Sequence, residues 1–216
     1  GKKRRMSDQV KSKKRVTDHG EVFTSEREVN AMLDLVKQET ERIDSRFLEP
    51  ACGTGNFLVE ILKRKLKIVK DRYKKSQLEF ERNAIIAISS NYGVDIQQDN
   101  VIQCRERLFK IFNNIYTKLY KTDSKEDFRQ SIKFLLIKNI LWGDALDFTI
   151  PETKEPIVFS KWSAINGSMI QRHDFVFKFL VEQTPQYSND EGNPGVIDEP
   201  VKDFPITHFL KIAEYD

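Results

Sequence analysis

A glycine-bearing turn between a short apolar strand and a long helix constrains this chain more than any other feature. It lies within residues 46–58, which read Arg-Phe-Leu-Glu-Pro-Ala-Cys-Gly-Thr-Gly-Asn-Phe-Leu. The apolar pair before Glu49 predicts a strand, and the helical period that follows the turn predicts a helix to about Asp71. Gly53 and Gly55 have no Cβ, so the backbone can turn sharply and a ligand can approach it closely. The N–H groups at the start of the helix would face that ligand.

Two common nucleotide-binding motifs do not fit this turn. A dinucleotide-binding fingerprint needs a third glycine three residues after the second, and Leu58 stands there. A phosphate-binding loop needs Gly-Lys followed by Ser or Thr, which this stretch lacks. The pattern that remains is acid-Pro-x-x-Gly-x-Gly-x-Phe.

This pattern resembles the cofactor loop of S-adenosylmethionine-dependent methyltransferases. The wording Glu-Pro-Ala-Cys-Gly-Thr-Gly-Asn-Phe-Leu is similar to adenine-specific DNA methyltransferases of restriction–modification systems. That group includes type I modification subunits and combined restriction–methylation enzymes. The resemblance implies that S-adenosyl-L-methionine is the cofactor and that one run of residues contacts it: Glu49, Pro50, Ala51, Cys52, Gly53, Thr54, Gly55, Asn56 and Phe57. A plain strand–helix turn is the alternative.

Two later strand ends carry matching acids. An open α/β sheet presents a carboxylate to ribose hydroxyls at the end of its second strand, where the sequence places Asp95. The resemblance implies that Asp95 binds the ribose and Ile96 contacts the adenine. It also implies that Asp144 binds the adenine amine, while Ala145 and Leu146 pack on the ring. The alternative for Asp95 is an ordinary turn residue at a strand end.

The segment before the loop predicts a capped helix. Ser25 and Glu28 form a capping box, and apolar residues recur on one helical face: Val29, Met32, Leu33 and Val36. The preceding Gly-Glu-x-Phe-Thr is similar to the segment that these methyltransferases fold over the methionine end of the cofactor. The resemblance therefore implies that Phe23 and Thr24 contact the cofactor. The alternative is a hydrophobic staple onto the helix.

The resemblance ends after about residue 148. Adenine-specific enzymes next need a strand ending in Asn/Asp-Pro-Pro-Tyr/Phe, which holds the flipped target base. The nearest string, around Asn193, lacks the second proline and the aromatic residue and lies in a turn-rich stretch. We therefore assign no catalytic residue.

The remaining C-terminal segment predicts a β-hairpin around the Asn166–Gly167 turn. A helical run follows at 174–182, and a final helix-like segment lies at 206–212. Clustered aromatic residues favour a core or a partner interface, with stacking on nucleic-acid bases as the alternative: Phe159, Trp162, Phe175, Phe177 and Phe179.

Composition adds a charge asymmetry. The chain of 216 residues carries a net charge of +3, yet residues 1–15 hold eight basic residues against Asp8 alone. A basic arm on a mildly acidic body is typical of nucleic-acid binders, and a solvated tail is the alternative. Cys52 and Cys104 form neither a disulfide framework nor a metal motif, and three isolated histidines add no metal site. No apolar run could span a bilayer, so we expect a cytoplasmic protein without a metal.

The fold class expected from these patterns is α/β. We expect a partial Rossmann-like methyltransferase sheet of three parallel strands with flanking helices, an N-terminal helix and a C-terminal hairpin and helix segment. The expected organisation is a basic arm at 1–15, a cofactor-binding domain at 16–150, and an extension at 151–216 that is a candidate partner interface.

The resemblance implies the cofactor-binding portion of an adenine-specific DNA methyltransferase. The Asn-Pro-Pro-Tyr strand and target recognition would come from a second polypeptide or a C-terminal part, so the isolated chain would be inactive. DNA would be bound through such a complex. One alternative is a non-catalytic DNA-tethering or regulatory subunit. Another is a complete small-molecule or RNA methyltransferase with a divergent catalytic strand.

Overall fold

The computed structural model describes residues 25–147, 149–176 and 200–216. Several predictions made from the sequence lie outside the described residues. These are the basic arm at 1–15, the cofactor contacts Phe23 and Thr24, the helical run at 177–182, and the string around Asn193.

The described residues form six α-helices and seven strands. The α-helices are α1 (Glu26–Asp34), α2 (Lys37–Thr40), α3 (Asn56–Tyr73), α4 (Gln77–Ser89), α5 (Gln98–Tyr120) and α6 (Glu126–Asn139). The strands are β1 (Phe47–Glu49), β2 (Asn91–Asp95), β3 (Ile140–Trp142), β4 (Val158–Asn166), β5 (Met169–Val176), β6 (Lys202–Asp203) and β7 (Thr207–His208). Short 3₁₀ helices occupy Lys121–Asp123 and Phe209–Glu214. Within the described ranges, no helix combines the length and apolar character needed to cross a bilayer.

Strands β1, β2 and β3 form a parallel sheet in that order. The register pairs Glu49 with Gly93 and Asp95 with Trp142. Two helices connect each pair of neighbouring strands, as parallel pairing requires long crossovers. The expected three parallel strands with flanking helices are therefore confirmed.

One face of this sheet packs against the helices. The main core is built from apolar residues of α3 to α6, including Leu62, Phe80 and Phe112, which are fully buried. The C-terminal segment joins the same core, since the Phe209 ring lies 5.6 Å from the ring of Phe128. Residues 200–216 thus stabilise the helical layer.

The other face of the sheet is covered by the β4–β5 hairpin. Tyr92 on β2 packs edge-on against Phe159 of β4, with ring centroids 5.5 Å apart. The Tyr92 hydroxyl donates to the Ser160 carbonyl at 2.8 Å. Phe159 is only 2% exposed. The preference for a core role is confirmed for this residue, whereas Trp162 and Phe175 are partly buried.

The helical prediction was wrong for residues 174–176, and the helix-like prediction for 206–212 is confirmed only from Phe209 onward. Residues 174–176 belong to β5, and the final segment is the strand β7 followed by a 3₁₀ helix. The inward-facing positions of β5 include Arg172 and Asp174, which are both buried and joined by hydrogen bonds of 2.9 and 3.0 Å. Because these inward residues are charged, the hydrophobic alternation that marks a strand is concealed.

The first helix is shorter than its apolar pattern predicts. Ser25 caps α1 by accepting the Glu28 N–H at 3.3 Å, so this half of the predicted capping box is confirmed. Val29 and Leu33 are buried, but Met32 is 53% exposed, and Val36 lies beyond the helix end. The expected four-residue apolar face is therefore only half buried.

Candidate functional site

The three predicted acidic strand ends lie along one edge of the parallel sheet. Glu49 ends β1, Asp95 ends β2, and Asp144 follows β3 by two residues. The ladder continues past the strands, since the Gly143 N–H donates to the Asp95 carbonyl at 3.0 Å. The carboxyl ends of parallel strands are where open α/β sheets bind ligands. This edge is therefore the candidate site.

The glycine loop lies across the end of β2. The Cys52 N–H donates to the Val94 carbonyl at 2.9 Å, and the Gly53 N–H donates to Asp95 Oδ1 at 3.0 Å. The loop can lie this close because Gly93 has no side chain. A Cβ on Gly93 would stand 2.8 Å from Leu58 Cδ1 and 3.1 Å from Cys52 Sγ.

Asp95 is the most enclosed of the three acids. Its side chain is 1% exposed, and Oδ2 accepts from the Gln97 N–H at 2.9 Å and from Asn100 Nδ2 at 3.0 Å. Together with the Gly53 bond, both carboxylate oxygens have donors within the protein. Asp95 therefore fixes the loop on β2, and its predicted role as a ribose ligand stays a prediction.

Glu49 is half-buried at the start of the loop. Its Oε1 accepts from the Ala51 N–H at 3.2 Å. Burial raises the pKa of Glu49, and the bond from Ala51 lowers it in part. A carboxylate that is poorly solvated but not fully occupied can accept a hydrogen bond from a ligand amine or hydroxyl.

The turn after β3 presents the third acid. Asp144 is half-buried, its backbone pairs with Thr149, and Oδ1 accepts from the Leu146 N–H at 2.9 Å. Ala145 is half-buried, whereas Leu146 is 91% exposed. Leu146 therefore contributes to the site only where a ligand or partner covers it.

A second link joins β2 and β3 at this edge. The Trp142 indole Nε1 donates to the Ile96 carbonyl at 2.8 Å. Ile96, the predicted adenine contact, is half-buried directly after Asp95. The bond holds the two turns that carry Ile96 and Asp144 side by side.

One face of α5 packs against the glycine loop, and these contacts were not predicted from the sequence. Asn100 binds Asp95, Cys104 lies against Gly55, and Arg107 Nη1 donates to the Thr54 carbonyl at 2.8 Å. The same guanidinium nitrogen donates to Asn56 Oδ1 at 2.9 Å. These α5 residues have i, i+4, i+7 spacing, which places them on one helical face. From this spacing, the shared face of these three residues could have been predicted from the sequence.

Gly55 shows how tightly α5 packs beneath the loop. Its φ of +93° is left-handed, and a Cβ there would stand 2.6 Å from Cys104 Sγ. Helix α3 begins directly after it. Any other residue at this position would be both strained and in contact with the sulfur.

The two cysteines under the loop are structural. Both are free and buried. A hydrogen bond with Cys104 and then burial raise the pKa of Cys52 well above its ordinary value. A thiol with a raised pKa carries little thiolate, so Cys52 is a poor nucleophile.

The site therefore offers hydrogen-bond acceptors around a glycine loop at a helix N-terminus. Over residues 25–147, 149–176 and 200–216, no cluster of three His, Cys, Asp or Glu side chains could hold a metal ion. Such a site suits binding of a polar ligand with amine or hydroxyl groups. Comparisons with family models, with curated proteins and with solved structures gave no match to this chain.

Proposed function

We propose that this chain is the S-adenosylmethionine-binding portion of an adenine-specific DNA methyltransferase from a restriction–modification system. The observation that carries the proposal is the placement of Glu49, Asp95 and Asp144 at one edge of a single parallel sheet, around a loop with Gly53 and Gly55 at positive φ. A ligand as long as a nucleoside with an amino-acid arm needs polar groups spread along such an edge.

The residues present fit this cofactor in part. Glu49 and Asp144 are half-buried acceptors, suited to the amine groups at the two ends of the ligand. Asp95 has donors on both oxygens, so its contribution is to hold Gly53 in place. The bound cofactor would supply an electrophilic methyl group. The chain's own part is to bind and orient it.

The sheet leaves room for a strand from a partner. β1 is an edge strand, and in the described part of the chain no strand pairs with its outer side. The Phe47 N–H donates to the Ser90 carbonyl on the β2 side, so by alternation the Leu48 N–H and carbonyl face outward. A strand carrying Asn-Pro-Pro-Tyr and docked here would lie beside Glu49. This supports a split enzyme with DNA and a second polypeptide as partners.

Calorimetry tests the proposal. The chain is titrated with S-adenosylmethionine, alone and with a polypeptide that carries an Asn-Pro-Pro-Tyr strand. We expect binding that Asp144→Ala weakens at least about tenfold, since one hydrogen bond to a charged group contributes about 1.5–3 kcal/mol. Asp127→Ala, an exposed acid in the first turn of α6, is the matched control. No binding by either sample overturns the catalytic proposal.

The alternative is a non-catalytic subunit that tethers DNA and keeps the fold without the cofactor. The observation that favours it is the internal satisfaction of Asp95, which needs no ligand to complete its hydrogen bonds. A mobility-shift assay separates the two. The subunit would retard duplex DNA in a salt-dependent manner with no effect of S-adenosylmethionine.

A further inference from the structure

A cavity lies at the opposite end of the parallel sheet from the glycine loop. Its volume is about 300 Å³, at the lower end of the range for small-molecule sites. Helix α4 forms one wall and the β4–β5 hairpin the other. Arg46 and Ser90, which directly precede β1 and β2, line its inner end. None of the predicted cofactor contacts within residues 25–147 lines it, and ligand binding there does not depend on the proposed function.

The walls of this cavity are largely apolar and aromatic. Trp162 presents an indole from β4, and its Nε1 is already used in a 2.8 Å bond to Asn139 Oδ1. The ring therefore offers a surface for packing rather than a donor. The other apolar lining residues come from α4, β5 and the C-terminal 3₁₀ helix: Ile85, Ile86, Met169, Ile170 and Phe209.

Two arginines line this cavity. Among the described residues, the Arg46 side chain has no hydrogen bond and no ion pair, although it lines the cavity. Arg82 donates from Nε to Ser168 Oγ at 2.9 Å and from Nη1 to Glu79 Oε1 at 2.7 Å. Arg82 is therefore held in place, with its remaining nitrogen beside the hairpin turn.

One carboxylate lines the cavity, and its ion pair is with a residue outside the lining. The only acid among the described lining residues is Asp44, and it pairs with Arg42 at 3.5 Å. Among the described residues, no carboxylate pairs with the Arg46 guanidinium, so an anionic ligand can approach it. A guanidinium binds a carboxylate through paired N–H donors, which fixes orientation as well as affinity.

We propose that this cavity binds a small organic acid with a flat apolar body. The body packs between α4 and the hairpin against Trp162, and the carboxylate pairs with Arg46. Neutral analogues of the same shape bind more weakly, because they leave the guanidinium without a charged partner.

The two tryptophans of the chain allow a direct test by NMR. Trp162 lines the cavity, whereas Trp142 lies at the glycine-loop edge, where its Nε1 donates to the Ile96 carbonyl. The full chain, labelled with ¹⁵N, is titrated with indole-3-acetate and, separately, with its neutral analogue indole-3-acetamide. The acid should shift the indole signal of Trp162 and leave that of Trp142 in place.

Three variants define the site. Arg46→Gln should weaken binding of the acid at least about tenfold, the loss of one charge-assisted pair. Arg72→Gln removes an exposed charge from the end of α3, away from the cavity, and should leave the affinity for the acid unchanged. Ala164→Phe fills the cavity from an exposed strand position and should abolish the Trp162 shift.

Several outcomes would overturn the proposal. One is the absence of any Trp162 shift with the acid. Others are equal binding of acid and amide, or equal losses in Arg46→Gln and Arg72→Gln. The Trp142 signal in the same spectra reports separately on the glycine-loop end of the sheet. The result at the cavity therefore does not depend on whether S-adenosylmethionine binds at that end.

Discussion

The Asp95 carboxylate accepts the Gly53 N–H at 3.0 Å across 42 residues of sequence. This bond ties the glycine loop after β1 to the end of β2. Oδ2 of the same side chain holds Gln97 and Asn100 at the start of α5. One buried carboxylate therefore fixes the three segments that form the candidate site.

Asp95→Asn should destabilise the protein by about 1–3 kcal/mol. An asparagine amide has one oxygen and one NH₂ group. In one orientation the NH₂ faces the Gly53 N–H, and in the other it faces the donors of Gln97 and Asn100. Either way, a buried donor is left without an acceptor. The measurement is urea unfolding followed by circular dichroism. The control is Asp99→Asn, an exposed acid in the first turn of α5, which loses less than about 1 kcal/mol. Equal losses in both variants would show that the Asp95 bonds are not stabilising.

Gly55→Ala should destabilise the protein more than Gly167→Ala. Both residues have positive φ, +93° and +57°, and both changes cost about 1–2 kcal/mol of backbone strain. Only at Gly55 does the new Cβ meet Cys104 Sγ at 2.6 Å, whereas at Gly167 its nearest neighbour is an Arg82 nitrogen at 3.5 Å.

A double-mutant cycle on the Gly55 site separates strain from overlap. Adding Cys104→Ala removes the sulfur, so it should recover the overlap part of the Gly55→Ala loss and leave the strain part. Thermal unfolding of the four proteins gives the coupling energy. Strict additivity would mean that α5 moves away from the loop without cost.

The strand–loop–helix unit at residues 47–73 could be predicted from the sequence because its signals are local. An apolar pair, glycines at a spacing of two and a helical period all fall within one short window. The strands that end at Asp95 and Trp142 were equally readable, since each joins an apolar run to an acid or a glycine. The helical crossovers between the strands account for their parallel direction.

The contacts that hold the site together could not be read in the same way. Arg107 binds Thr54 across 53 residues, and the helical spacing shows only which α5 residues share a face, not which loop that face contacts. In β5, the buried Arg172–Asp174 pair hides the strand period. The β4–β5 hairpin was predicted from its turn, but its packing on the second sheet face was not, because Tyr92 and Phe159 meet only through the tertiary fold.

Arg107→Lys should loosen the glycine loop while leaving the fold intact. A lysine keeps the charge but cannot reproduce the planar guanidinium that bridges the Thr54 carbonyl and Asn56 Oδ1. We expect amide hydrogen exchange across residues 52–56 to become about five- to tenfold faster, which corresponds to about 1 kcal/mol of lost local stability. Lys110→Gln, on an exposed position of α5, is the control. Unchanged exchange in the Arg107 variant would remove its role in positioning the loop.

Lys65 should make stability rise with pH above neutrality. Its side chain is fully buried and donates to the Ser45 carbonyl, to Ser90 Oγ at 2.7 Å and to Asn91 Oδ1 at 2.9 Å. Burial lowers the pKa of Lys65 to about 7, and Asp44 opposes this shift. The unfolded chain, with an ordinary lysine pKa of about 10.4, binds more protons between these two values.

The free energy of unfolding therefore increases as pH rises from about 7 to about 10, by at most about 1.4 kcal/mol per pH unit. Below about pH 7 the lysine is charged in both states, so the full cost of burying that charge is present and constant. Lys65→Met removes this titration and leaves the Ser45 and Asn91 oxygens without their donor. Urea unfolding of both proteins between about pH 6 and about pH 9 isolates the effect, because other titrating groups cancel in the difference. Lys67→Met, at an exposed neighbouring position on α3, is the control. Its free energy of unfolding should change with pH in the same way as that of the unmodified protein. If the free energy of unfolding of Lys65→Met also changes with pH in the same way, the buried ammonium of the unmodified protein keeps its proton over this range, held by its three acceptors.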